Sequence, residues 1–398
     1  MKTLVLILTA LAVSRMPLWG QSQFQSVSQS GDMVTFTWSA VSGMLYQVQY
    51  STNLSSGDWI DLGCPVLASG TSATDSDTLG SDPFRFYRVA GPIEPVITST
   101  TGGNYTFTNG DYISVVFINS GTFTVVCGAG SVESLVVAGG GGGGGGGGSG
   151  TCSGGGAGGL IHTTLAESPN YGPGSYSVVV GQGGPASCTC CTPYGSGFKG
   201  GNSMFNGLGN TAGIVAYGGG GGTDAEGGGG SGCGQILGPS GGSGAGGSTA
   251  GASVVDPPGE SVVGIQYGTN VSEGFGGGNS QFEENGNGNC LGFAAGGGGG
   301  AGAVGGNASN AFNGGAGGMG IFFSLTGDAR FDIWYAGGGG GGGGGYCDGT
   351  TGSAGADGLG GAGQSSWNGG GGYGGSAFLG SPYGQPGASG IVILRYKF

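Results

Sequence analysis

Nine cysteines, at positions 64, 127, 152, 188, 190, 191, 233, 290 and 347, are the residues of this chain best equipped for covalent chemistry. Outside the cytoplasm such thiols form lasting disulfides, and an odd number leaves at least one without an intramolecular partner. Cys127, Cys152, Cys188, Cys190, Cys191, Cys233, Cys290 and Cys347 all fall in a glycine-rich stretch, where bridges between loops are the expectation. An intermolecular bridge and a vicinal Cys190–Cys191 bond are the alternatives. Zinc on Cys188, Cys190 and Cys191 is disfavoured, because C-T-C-C lacks a second paired knuckle.

Other reactive constellations are thin. His162, the only histidine, has no nucleophile at a recognisable spacing, and G-x-S-x-G matches arise by chance in a chain this rich in glycine and serine. No carboxylate pair stands in the apolar setting that glycoside hydrolysis requires. Lys199 follows GSGF and not a phosphate-cradling G-x-x-x-x-G. The expectation is a non-enzyme without cofactor or metal. Asp75, Asp77 and Asp82 lack EF-hand spacing, so a solvated turn is expected there in preference to a calcium site. Tyr267, Phe275, Phe282, Trp334, Trp367 and Tyr383 are the candidates for stacking on a sugar or filling a partner's pocket. With the segments Leu160–Ser175, Pro185–Phe205 and Val254–Cys290, read as loops, they make the candidate contact surface.

What must position these residues is mostly glycine, 110 of 398 residues, sparse up to Gly91 and dense afterwards. Ten consecutive glycines, Gly139–Gly148, follow the apolar segment SVESLVVA, and the same junction recurs as IVAYGGGGG and FDIWYAGGGGGGGGG. Lacking Cβ, such runs are either solvated coil or extended threefold helices whose backbones pack in contact. Collagen is excluded by the broken triplet and by only 14 prolines. Disorder would scatter β-branched and aromatic residues; here YSVVVG, GIVAYG and MGIFFSLTG cluster at the borders of glycine runs, so a folded region is expected. A net amide hydrogen bond of about 1 kcal/mol and a Cα–H contact of about 0.5–1 kcal/mol barely offset an ordering cost of about 1–2 kcal/mol per residue. Flanking strands and bridges must therefore supply the rest, and a bulky side chain at Gly143 or Gly341 is expected to wedge neighbouring chains apart.

The organisation read from the chain is a leader at 1–20, a small β-sandwich at 21–92, a linker at 93–104 and a glycine-rich domain at 105–398. Lys2, the apolar run Thr3–Val13 and a short polar tail make a secretory signal with cleavage expected before Gln21. No other stretch approaches 18 apolar residues without glycine, so no membrane span is expected. A formal charge of −13 with thinly spread basic residues disfavours nucleic acid as a partner. Within 21–92, VTFTWSAV, LYQVQYSTN, WIDLG and RFYRVAG alternate as half-buried strands do, with Trp38, Tyr46, Val48, Tyr50 and Phe86 or Tyr87 on core-facing positions.

The Trp of TFTWSAV, the Tyr-x-Val-x-Tyr strand and the closing FYRV resemble bacterial fibronectin type III modules, which act as spacers or contact surfaces. The series YTFTNG, FINSGTFTV, SLVVAGGGGGGGGGG, SYSVVVGQGG, GNSMFNG, MGIFFSLTG, YAGGGGGGGGG and GASGIVILRYKF is similar to the glycine-rich domain of bacterial exported proteins and phage tail-associated proteins. More distantly it resembles the glycine-rich domain of anaplastic lymphoma kinase-type receptors. The resemblance implies a mainly β fold, with a β-strand base and a packed bundle of polyglycine II helices. It also implies loops between glycine helices that bind a cell-surface receptor, as in the phage adhesins; the leader and the fibronectin-like module depart from that pattern. Together these readings lead to a secreted, non-enzymatic structural or adhesive surface protein that self-assembles into extracellular fibres. A monomeric adhesin that binds a cell-surface glycan or protein receptor is the alternative. Ice binding lacks the regular threonine repeats it would need.

Overall fold

The computed structural model describes residues 22–82, 84–145, 150–186, 195–205, 213–223, 242–246, 249–250, 254–255, 263–266, 269–284, 290–310, 312–342, 345–346, 368–372 and 384–398. The leader lies outside them. All regular structure among them is β, arranged in antiparallel sheets.

Two small sheets form the N-terminal unit. β1 (Phe24–Ser30), β2 (Met33–Ser39) and β6 (Ser72–Thr78) make one; β3 (Leu45–Ser51), β4 (Ile60–Asp61), β5 (Val66–Leu67) and β7 (Phe86–Ile93) make the other. The period of two in β2 turns Val34, Phe36 and Trp38 inward, where they meet Tyr46, Val48 and Tyr87 of the facing sheet. The acidic segment expected as a turn is strand β6, with Asp75 and Asp77 on its inward side in line with Ala73. Its sequence hides this, because the inward positions carry charge that only a partner sheet can neutralise. Asp77 accepts from Tyr87 Oη at 2.8 Å and pairs with Arg85 Nη1 at 2.5 Å, while Arg85 Nη2 reaches Asp82 at 2.8 Å. Burial, reinforced by the Asp77 hydrogen bond, pushes the Tyr87 phenol well above its ordinary pKa. The carboxylates thus clamp one sheet to the other.

A larger sandwich follows. Its strands are β8 (Ile97–Thr101), β9 (Tyr105–Asn109), β10 (Tyr112–Phe117), β11 (Gly121–Gly128) and β12 (Gly130–Val137). After β13 (Gly150–Thr151) come β14 (Leu160–Thr163), β15 (Asn170–Tyr171), β16 (Gly174–Val179), β17 (Ser203–Phe205) and β18 (Ile214–Ala216). One sheet runs β14, β12, the C-terminal strand Ile391–Lys397, β10, β9, with β15 on β12; the other runs Thr269–Ser272, Val263–Gln266, β18, β17, β16, β11, β8. Between them lie Phe123, Val125, Tyr176, Val178 and Phe205 from one side and Val132, Val136, Val392, Leu394 and Tyr396 from the other. The opposite face of the six-stranded sheet is also covered, by Ala157, Ala301, Leu325, Phe331 and Tyr335. Burial on both faces explains why IVIL in the C-terminal strand is continuously apolar.

The segment expected as a linker contains β8, bonded to β11, so only Glu94, Pro95 and Val96 separate the last strand of one sandwich from the first of the next. A second tie is covalent. Cys127 is bridged to Cys64 of the N-terminal unit, with a Cα–Cα distance of 5.2 Å. The register of β11 shifts around Cys127, and Gly128, at φ 80°, backs onto the Val96 carbonyl where a Cβ would collide. The expected bridging between loops of the glycine-rich domain is corrected for this cysteine: it joins two units.

Past one end of the larger sandwich, strands run on as glycine. β12 continues into 138–145, β16 into 180–186 and β18 into 217–223; segments 152–159, 195–202 and 384–390 feed β14, β17 and the C-terminal strand. Their bonds step by threes. The N–H groups of Gly139, Gly142 and Gly145 donate to Gly201, Phe198 and Gly195; those of Gly140 and Gly143 to Ala388 and Gln385; those of Gly141 and Gly144 to Gly156 and Ser153. Carbonyls return the pattern, with Gly139 and Gly142 accepting from Gly219 and Gly222, Gly140 from Gly184 and Gly141 from Gly372. One chain is thus bonded to neighbours on every side, and 153–159 and 295–301 repeat the arrangement. A Cβ on Gly139, Gly140, Gly141 or Gly142 would overlap the carbonyl oxygen of Gln182, Gly370, Gly220 or Pro185, and at Gly341 it would overlap Ala295 and Gly296. Absence of side chains is what the packing requires.

Candidate functional site

The segments expected as loops are largely threaded into this framework. Leu160–Ser175 holds β14 and β15; Val254–Cys290 contributes two strands to the seven-stranded sheet and a glycine segment around 274–278; Pro185–Phe205 includes a bonded segment and β17. Hydrogen bonding has converted candidate loops into structure.

Three charged clusters are internal ties. Glu133 sits opposite Arg395 in register, and its two oxygens meet His162 Nε2 at 2.9 Å and Arg395 Nη1 at 3.3 Å. His162, read as a loop residue, lies on β14 with its ring 4.9 Å from that of Phe323, and the Arg395 guanidinium covers Tyr112 at 4.2 Å. The Asp77, Asp82 and Arg85 clamp is the second. The third is Glu273, buried among glycine segments, where both carboxylate oxygens face the Tyr217 N–H at 3.0 and 3.1 Å. A Cβ on Gly159 would strike that carboxylate, so the missing side chain makes its room. Burial pushes the Glu273 carboxyl up to about 8, against the opposing pull of the Tyr217 N–H and the Lys199 charge.

Exposed apolar side chains are scattered over the surface, and five of them fall on neighbouring glycine segments and the hairpin that follows. Phe275 N–H donates to Gly300 O, Gly300 N–H to Ala303 O and Gly302 N–H to Met319 O, which makes residues 275, 300–304 and 319 neighbours. Beside them Ile321–Phe322 pairs with Trp334–Tyr335. This hairpin divides its side chains: Tyr335, with Leu325 and Phe331 from the intervening loop, enters the core over the six-stranded sheet, and Tyr335 Oη donates to Phe331 O. The others stay out. Phe275 is 43% exposed, Val304 61%, Met319 44%, Ile321 36% and Phe322 49%. Trp334 is half-buried and edge-on to Phe322, ring centroids 6.0 Å apart. From Cys290 to Gly327 the chain has no Asp, Glu, Lys, Arg or His, and the charged residues nearest in sequence to Phe275 and Phe322 are buried Glu273 and the Asp328–Arg330 ion pair.

Of the aromatic candidates, Phe275 and Trp334 are thus brought to one face. Phe282 lies on the strand Gln281–Glu284, opposite Phe293. Tyr267, Trp367 and Tyr383 lie outside the described residues, as do Cys188, Cys190, Cys191, Cys233 and Cys347. Cys152 is buried, and Cys290 begins the strand Cys290–Ala294. Sequence reasoning passed over Val304, Met319 and Phe322, although the dense apolar string MGIFF between glycines was a usable signal. Glu273 gave none, since nothing local distinguishes a buried glutamate from a solvated one. Among the described residues no group of His, Cys, Asp and Glu is arranged to hold a metal, and no helix is long and apolar enough to cross a membrane.

The pattern of the family described as Glycine-rich domain matches residues 118–397. No curated protein sequence matches the chain.

Proposed function

Since the chain belongs to the glycine-rich domain family, we propose that it is an exported, non-enzymatic structural or adhesive protein. In this reading a fibronectin type III-like module is carried on a polyglycine II bundle. The observation that carries it is the three-residue step of the donors from Gly139 to Gly145, which is the period of a threefold extended helix. Chains bonded sideways in this way form a stiff body whose interior has almost no side-chain chemistry, leaving function to the surface. Export is supported by the leader-like Lys2 and Thr3–Val13 and by the Cys64–Cys127 disulfide. Self-assembly into fibres is the favoured use of such a body.

Negative-stain microscopy of the purified full chain tests this, with filaments or regular oligomers as the expected result. Dispersed single particles at all concentrations would move the reading to a monomeric adhesin. That second reading is favoured by half-buried Trp334 beside exposed Phe322, a geometry suited to sugar stacking. A glycan array with no signal would remove it. For the bundle itself, amide exchange at 139–145 is expected to be slow; exchange at solvent rates in folded protein would overturn the polyglycine reading.

A further inference from the structure

We propose that the apolar face built from Phe275, Val304, Met319, Ile321 and Phe322 is the docking surface for a second copy of this chain. The proposal rests on the self-assembling reading above and adds the surface through which it acts. Two copies of a chain with formal charge −13 repel each other over most of their surfaces. The stretch Cys290–Gly327 contributes nothing to that repulsion and carries four of the five apolar side chains of this face, Val304, Met319, Ile321 and Phe322. A basic partner would gain more by settling on acidic surface. A copy of the same chain gains most where charge is absent and apolar area is open. In addition, Ile321–Phe322 belongs to a two-stranded sheet, and among the described residues it pairs with Trp334–Tyr335 on one edge only, which leaves the other edge for the partner's backbone. A face that meets itself joins two copies in a two-fold pair, and a fibre is built from such pairs through a second, different contact.

Sedimentation velocity of the full chain across the micromolar range, at low and high sodium chloride, is the test. Wild type is expected to self-associate more strongly at high salt, because screening removes repulsion while apolar burial persists. The triple variant V304S/M319S/F322S replaces only exposed side chains and is expected to weaken association at least about tenfold with unchanged melting. Met319→Leu with Phe322→Leu, which keeps the surface apolar, should restore it. Association that is unaltered in the triple variant, or that dissolves as salt rises, overturns the proposal. If filaments form regardless of these substitutions, the face is wrong and the self-assembling reading stands; if wild type stays monomeric and forms no filaments, both fall.

Discussion

In the N-terminal sandwich, Phe36, Trp38 and Tyr87 fill the gap between two sheets, whereas at Gly139, Gly140, Gly141 and Gly142 of the glycine bundle the neighbouring chains are too close to admit a methyl group. Both regions satisfy their backbones, but the first coheres through side-chain volume and the second through its absence. The sandwich can be damaged by subtraction and the bundle by addition. The contrast extends to charge. At the sandwich end Arg85 forms ion pairs with both Asp77 and Asp82, while inside the bundle Glu273 is held by the Tyr217 N–H.

The sharpest way to break the comparison is to add atoms to the bundle. Gly141→Val places a side chain on the carbonyls of Gly219 and Gly220, backbone that is itself bonded elsewhere, and is expected to cost more than about 5 kcal/mol, seen as loss of folding of the glycine-rich region. Trp38→Ala, the matching subtraction, is expected to cost about 3–5 kcal/mol, confined to the N-terminal sandwich in a denaturant melt. Equal tolerance of the two changes would erase the distinction.

Next in size is the tie between the regions. Cys64→Ser opens a bridge between residues 63 positions apart and is expected to remove about 2–4 kcal/mol. It should also let the sandwich melt independently of the larger domain, and calorimetry would resolve two transitions where wild type shows coupled ones.

The smallest effect concerns Glu273. Its carboxyl is raised from 4.5 to about 8 in the folded state, so the folded chain binds the extra proton and stability is intact below about pH 4.5. It then falls as pH rises towards 8. Glu273→Gln keeps an acceptor for the Tyr217 N–H and is expected to flatten that slope, leaving the variant more stable than wild type at pH 9. Identical pH–stability curves for the two proteins would show that the carboxylate reaches solvent.

Much of the framework was legible. The alternation in VTFTWSAV and LYQVQYS became β2 and β3 with Trp38, Tyr46 and Val48 inside, and the junction SLVVA–glycine became a strand running into a bonded glycine segment. β6 was not legible, since its inward aspartates oppose the usual apolar signal until Arg85 and Tyr87 are in place. Nor was Cys64, which sits in a different unit from every other cysteine and finds Cys127 only when β11 bends against the connection. The apolar face was half legible: MGIFF announced a strand, but which of its side chains would stay outside depended on the sheet beneath.

By itself, the sequence determined that chains would pack without side chains, because a run of glycine next to β-branched strands has no other way to gain contacts. Which chain lies beside which was decided only in three dimensions. Glycines are chemically identical and carry no address, so Gly139 finds Gly201, and Gly141 finds Gly156, through the sheet order of the strands to which those segments are attached.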